Sequence, residues 1–212
     1  MKDFPVFATQ YGVASLILKE IPYRKECYIH LQSSQEPEKL LQECVSFCKA
    51  CGAESIQATG HPILERFPLH TTLIQMRGTI EICEEEIPSM FPVTEQTVPR
   101  WRELYNRCMS SVDHASTLEA RDEPRIVASG GAYFVHESGD PIGIGWLEGN
   151  RLCALAALKP GAGEKVCKAM QSLIPNQQII LEVASTNIKA IRLYERLGFL
   201  KTAELTRWYQ VF

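Results

Sequence analysis

Hydrophobic and polar positions change period several times along the 212-residue chain, and each change predicts an element. "GVASLILKE" and "ECYIHLQ" are strand-like runs and predict two strands, separated by the polar turn "IPYRK". In "SSQEPEKLLQECVSFCKACGA" the period lengthens. Leu40, Leu41, Cys44, Val45, Cys48 and Cys51 recur at three and four to form one apolar stripe, Pro37 suits a first helical turn, and Gly52 ends the run. That stretch predicts an amphipathic helix. "SIQATG" and "HTTLIQMRGTIEI" then predict strands around a short irregular or helical piece carrying "ILERF".

The pattern breaks in "CEEEIPSMFPVTEQTVPR", with its three prolines and cluster of acids. This places a domain boundary near Pro88 to Pro92: residues 1–88 as one domain, 89–92 as linker, 93–212 as the second. Beyond it, "TEQTVPRWRELYNRCMSSV" predicts a helix with Trp101, Leu104, Tyr105 and Met109 on one face. "DHASTLEARDEPR" is polar, with room for a short helix. "GAYFVHE", "PIGIGWLE" and "RLCALAAL", joined by "SGD" and "GN", predict a three-stranded meander. "KPGAGEKVCKAMQSLIP" leads through a glycine turn into a helix. "QQIILEVAS" predicts a buried strand, "NIKAIRLYERLG" a helix closed by Gly198, and "LKTAELTRWYQVF" the last strand or strands.

Composition narrows the function classes. With 45% hydrophobic and 22% charged residues the chain can bury a sizeable core. A formal net charge of −3 argues against a nucleic-acid or anionic-membrane partner, and Glu84-Glu85-Glu86 reads as a solvated connector. No apolar run reaches the length of a membrane span, and "MKDFPVFATQ" lacks a signal peptide's apolar core. Eight cysteines in that context predict reduced thiols and a cytoplasmic location. "CVSFCKAC" has the C-x3-C-x2-C spacing of an iron–sulfur ligand set, yet its cysteines share a helix's apolar stripe, where free cysteine packs as a small hydrophobe. His30, His61, His70, His114 and His136 show no metal-ligand spacing, so no metal is expected. Gly143-Ile144-Gly145 lies inside a strand and predicts a bulge or a close backbone approach.

Two elements carry chemistry. A strand running into Gly161-Ala162-Gly163 and then a helix points backbone N–H groups at one spot suited to a phosphate, flanked by Lys159 and Lys165. Further on, Asn187 follows a strand, Ala190 and Tyr194 share a helical face, and Gly198-Phe199 closes the helix. The order strand, Asn, Ala, Leu-Tyr-Glu, Gly-Phe resembles the second cofactor motif of the GNAT (GCN5-related) acyl-CoA N-acyltransferases, and the upstream turn resembles that family's pyrophosphate motif. The likeness covers residues 93–212 in family order, though Leu158 stands where the family carries Gln or Arg.

The resemblance implies an α/β (α+β) fold, a mixed and mostly antiparallel sheet flanked by helices, with a splayed pair of strands that receives acetyl-CoA. Ala156, Ala157 and Leu158 would then make main-chain contacts to the pantetheine arm. Gly161, Ala162 and Gly163 would hold the pyrophosphate, Asn187 would bond the cofactor, and Tyr194 would stand by the sulfur. In such chemistry a neutral amine attacks the thioester, backbone N–H groups stabilise the oxyanion, and a tyrosine hydroxyl supplies a proton to the departing thiolate. The acceptor would be a primary amine of a small molecule or peptide. Its wall would come from Trp101, Tyr105 and residues 110–122, with His114 and Glu148 as candidate bases. A non-catalytic acyl-CoA-binding or scaffold protein of the same fold is the other reading, and the pattern leaves monomer and homodimer both open.

The first half carries a fainter echo. Aligning "ILERFPL" with "LYERLGF" sets Leu64 against Tyr194 and Pro68 against Gly198, with nothing like Asn187 upstream and no glycine turn before the helix at Pro37. It predicts a truncated GNAT-like half-domain without a cofactor site, or else an unrelated α+β cap.

Overall fold

The computed structural model describes residues 5–81 and 87–212 as two compact units. The Glu84–Glu86 run therefore lies outside the described residues. The first unit comprises residues up to Thr72 together with Leu205–Phe212, and the second is Leu73–Glu204.

The first unit opens with a hairpin of β1 (Val6–Thr9) and β2 (Gly12–Ile17). The expected turn "IPYRK" contains one helical turn, α1 (Ile21–Arg24), closed by Lys25 at φ +59°. There follow β3 (Glu26–Ser34), α2 (Pro37–Ala50), β4 (Ser55–Thr59) and a 3₁₀ turn at Pro62–Arg66. Strand order is β1-β2-β3-β4, and the end of the last strand of the chain, β11 (Leu200–Gln210), adds antiparallel to β4 through Tyr209 and Gln210. Four of the six stripe positions form the buried face of α2: Leu40, Leu41, Cys44 and Cys48 meet Leu16, Ile29, Ile56 and Leu64 in one core. Val45 is half-buried, whereas Cys51, expected on the stripe, is exposed because it lies at the C-cap, past the last turn of the helix.

The chain passes into the second unit within β5 (Leu69–Gly78), whose residues 73–78 pair antiparallel with β10 (Ile179–Ala184) from Leu73↔Ala184 to Gly78↔Ile179. Next come β6 (Ser89–Pro92), α3 (Val98–Met109), a 3₁₀ turn at Ala120–Asp122 and α4 (Glu123–Ser129). The meander is β7 (Ala132–Glu137), β8 (Asp140–Glu148) and β9 (Arg151–Ala157). Helix α5 (Gly163–Ser172) precedes β10, and α6 (Ile188–Arg196) precedes β11. Strand order here is β11-β5-β10-β9-β8-β7-β6. All neighbours whose register is defined run antiparallel except β9 and β10, which run parallel.

The units do not divide at 88–92. Residues 89–92, expected as linker, are a strand that pairs with β7 from Ser89↔His136 to Pro92↔Tyr133. The division falls instead inside β5 and inside β11, because each strand ends in the sheet of the other half of the chain.

Candidate functional site

The site begins with a failure of two strands to stay together. β9 and β10 are in register only at Arg151↔Ile180 and Leu152↔Leu181, at their N-terminal ends. Because the two are parallel, the remainder diverges toward their C-terminal ends, and helices α5 and α6 start at that open end. The other edge of β9 is held by β8 from Glu148↔Arg151 to Gly143↔Ala157. Leu158 N–H donates to Ile142 O at 2.8 Å, which fixes the parity of that ladder. In an antiparallel pair alternate residues turn their main-chain groups toward the partner. Ala156 and Leu158 therefore face β8, whereas Leu155 and Ala157 present N–H and C=O to the gap. Of the three positions read from the sequence only Ala157 faces the opening, and Leu155 joins it. Parity is a property of the pairing, so no signal in "RLCALAAL" distinguishes the two sets.

At the end of β9 the turn reverses through Gly161, whose φ of +81° is one that side-chain-bearing residues rarely adopt. Ala162 N–H donates within the turn to Lys159 O at 3.2 Å, and Ala162 is the N-cap of α5 with no side-chain cap. The first N–H groups of α5 thus receive no capping oxygen from the N-cap side chain. A Cβ on Gly163 would stand 2.9 Å from Leu193 Cδ2, so glycine there lets α5 and α6 start side by side. The close approach expected at Gly143 and Gly145 is that of α5. A Cβ at those positions would lie 2.2 Å from Val166 Cγ2 and 2.3 Å from Met170 Sδ, respectively. The flanking lysines are engaged: Lys159 pairs with Asp140 at 2.7 Å and Lys165 with Glu137.

Asn187 is the N-cap of α6, its Oδ1 accepting from Ala190 N–H at 3.2 Å. One turn beyond Ala190, Tyr194 is buried with Cys167, Ile191 and Phe199, its ring 5.5 Å from that of Phe199. Burial, and secondarily Cys167, push its hydroxyl above the ordinary tyrosine value, so it keeps its proton. That hydroxyl has no hydrogen-bond partner among the described residues.

The expected acceptor residues separate. Trp101 is fully buried; its Nε1–H donates to Tyr133 O at 3.1 Å, and its ring stacks on Tyr105 and meets Trp146 edge-on. Trp101 and Tyr105 are core residues fastening α3 to the meander, which leaves Trp101 no face for an acceptor. Glu148 receives Arg125 Nη2 on both carboxylate oxygens at 3.1 Å. His114, at φ +61°, lies in a segment fastened at two points. Asn106 exchanges two 2.8 Å hydrogen bonds with the main chain of Leu118, and Thr186 Oγ1–H donates to Asp113 Oδ2 at 2.6 Å. Thr186 stands between the end of β10 and Asn187, so the neighbour of His114 is tied to the open end of the gap. Sequence reading did not find this Asp113–Thr186 link, because the two residues are far apart in the chain.

Among the described residues no group of three or more His, Cys, Asp or Glu side chains is arranged to hold a metal ion. None of their helices is long and apolar enough to cross a membrane. No protein-family model and no curated protein matches the sequence. Solved structures do match. A GCN5-related N-acetyltransferase from Kribbella flavida is similar over 99% of this chain and 90% of its own, with a TM-score of 0.58 and 14% identity. A GNAT-family acetyltransferase from Colwellia psychrerythraea is similar over 97% and 84%, at 0.52 and 10%. A conserved protein of unknown function from Staphylococcus epidermidis is similar over 99% and 94%, at 0.60 and 8%. At such identities the likeness establishes architecture alone, and the architecture is that of the GCN5-related N-acetyltransferases.

Proposed function

We propose that the chain is an acetyl-CoA-dependent N-acetyltransferase whose donor site is the gap between β9 and β10 in the second unit. The observation that carries this reading is that β9 and β10 pair at only two positions and then part toward the end where α5 begins without a side-chain cap and α6 begins at Asn187. The residues present fit an acyl-CoA. Leu155 and Ala157 offer main-chain groups to a pantetheine amide, and the first N–H groups of α5 after Gly161 suit a pyrophosphate. Asn187 retains its amide NH₂ as a donor, since its oxygen caps α6.

Acetyl-CoA supplies the activated thioester carbonyl. The chain's own work is to hold that carbonyl against an amine, which accounts for most of the rate in such transfers. Gap-facing N–H groups stabilise negative charge on oxygen. Tyr194, held neutral by burial, donates a proton or hydrogen bond where the sulfur departs. The acceptor, a primary amine of a small molecule or peptide, is read as approaching past residues 110–122, with His114 and Glu148 as the candidate bases. The reading places no nucleic acid or membrane among the partners, and keeps the protein in the cytoplasm.

A second reading, acyl-CoA binding without transfer, is favoured by the ion pair with Arg125 that occupies Glu148, one of the two candidate bases. Titration calorimetry with acetyl-CoA followed by thiol-release assays over a panel of amines separates the two. Binding with turnover on at least one amine is expected. Binding without turnover on any would support the second reading, and absence of binding would remove both.

A further inference from the structure

Independently of acyl transfer, the first unit gathers thiols. Cys27 on β3 and Cys44 and Cys48 on α2 are buried, while Cys51, at the end of α2, is exposed. Cys27 Sγ lies 2.8 Å from Cys48 Sγ, and a disulfide requires about 2.05 Å, so closing the bond needs a movement of roughly 0.8 Å. The pair is polarised. The S–H of Cys27 donates to Cys48, which raises the Cys27 thiol and lowers that of Cys48. Cys44, pushed up to about 12 by burial, stays an unreactive thiol. Cys51 is the C-cap of α2, three residues beyond Cys48, a spacing that sets the two on neighbouring positions of the helix surface.

We propose that Cys27 and Cys48 form a redox-active dithiol, oxidised by low-molecular-weight disulfides that react first at exposed Cys51. The Cys51 thiolate attacks one sulfur of the oxidant, forming a mixed disulfide and releasing one thiolate. Cys48 attacks the Cys51 sulfur and expels the second thiolate. Cys27 then attacks Cys48, forming the Cys27–Cys48 bond and regenerating Cys51. Two protein thiols and one external disulfide become one protein disulfide and two external thiols, so atoms and electrons balance. The product ties α2 to β3 by a covalent bond.

The test uses the full chain, glutathione disulfide, acid quenching, alkylation with N-ethylmaleimide and tryptic mapping without reductant. Cys27 falls in the peptide 26–39, Cys44 and Cys48 in 40–49, and Cys51 in 50–66. The expected product is 26–39 joined to 40–49 with two thiols lost, and fragmentation places the bond on Cys48 even if a Cys44→Ala variant fails to fold. Cys51→Ser should slow its formation at least tenfold. A glutathione adduct on Cys51 as the endpoint, a bond through Cys44, an unchanged rate in Cys51→Ser, or an unchanged thiol count would each overturn the proposal.

Discussion

The two units contain the same local arrangement, two parallel strands joined through a helix, and differ in how far the strands stay paired. In the first unit β3 and β4 are in register from Glu26↔Ser55 to His30↔Thr59, so every residue of β4 has a partner. In the second, β9 and β10 share only two positions. A closed ladder leaves no main-chain groups for a ligand, whereas an open one leaves Leu155 and Ala157 facing a gap. The elements that follow diverge in the same sense. Asn187 caps a nine-residue helix that carries Tyr194, whereas His61, accepting from Ile63 N–H through Nδ1, caps a five-residue 3₁₀ turn that carries Leu64. Both Tyr194 and Leu64 are buried, one with a hydroxyl to offer and one without. Strand pairing and the residue carried by the following helical turn differ together between the units, which is what a site in one unit and plain packing in the other would require.

The largest expected effect separates those two buried residues. Tyr194→Phe should lower turnover about 100-fold or more, with the acetyl-CoA dissociation constant moving less than about threefold. Leu64→Ala should cost about 2–5 kcal/mol in urea unfolding and leave turnover per folded molecule unchanged. The same tyrosine sets an alkaline limit. Its folded value is raised, so folded Tyr194 keeps its proton where unfolded tyrosine begins to ionise, near pH 10. Stability from this group is therefore full below about pH 10 and is lost as the pH rises beyond it. An activity limb near pH 8 that disappeared in Tyr194→Phe would contradict this.

Smaller effects test the gap itself. Ala157→Pro removes a donor that faces the opening while sparing the ladder to β8, and about a tenfold loss of acetyl-CoA affinity is expected by calorimetry. Asn187→Ala should cost about 1 kcal/mol of stability as a lost cap and weaken acetyl-CoA binding, whereas His61→Ala should leave binding unchanged. The smallest effect is expected at Lys159, already held by Asp140, whose carboxyl it keeps below the usual range. Lys159→Ala should change acetyl-CoA affinity less than about twofold, and a larger loss would assign the lysine to the ligand.

What could be read from the residues alone was local. "SGD" and "GN" set the meander, the stripe from Leu40 to Cys48 set α2, and the spacing of Asn187, Ala190 and Tyr194 set a capped helix. What could not be read depends on pairing between distant residues. The prolines near 88–92 look like a boundary, yet Ser89–Pro92 is an edge strand, and the true division lies within two strands whose sequences carry no break. Trp101 and Tyr105 suit an aromatic binding wall as well as a core, and only the packing of α3 against Trp146 decides for the core. Divergence of β9 from β10 entered only with the family resemblance, which implies a splayed pair; "RLCALAAL" by itself reads alike whether or not its neighbour stays.

Hydrogen exchange with and without saturating acetyl-CoA tests the difference between the units most directly. Slowed exchange is expected in 153–158, 161–165 and 187–194, with 26–34 and 37–40 unchanged. Protection centred on 26–34 and 37–40, or none in either unit, would contradict a donor site in the open ladder.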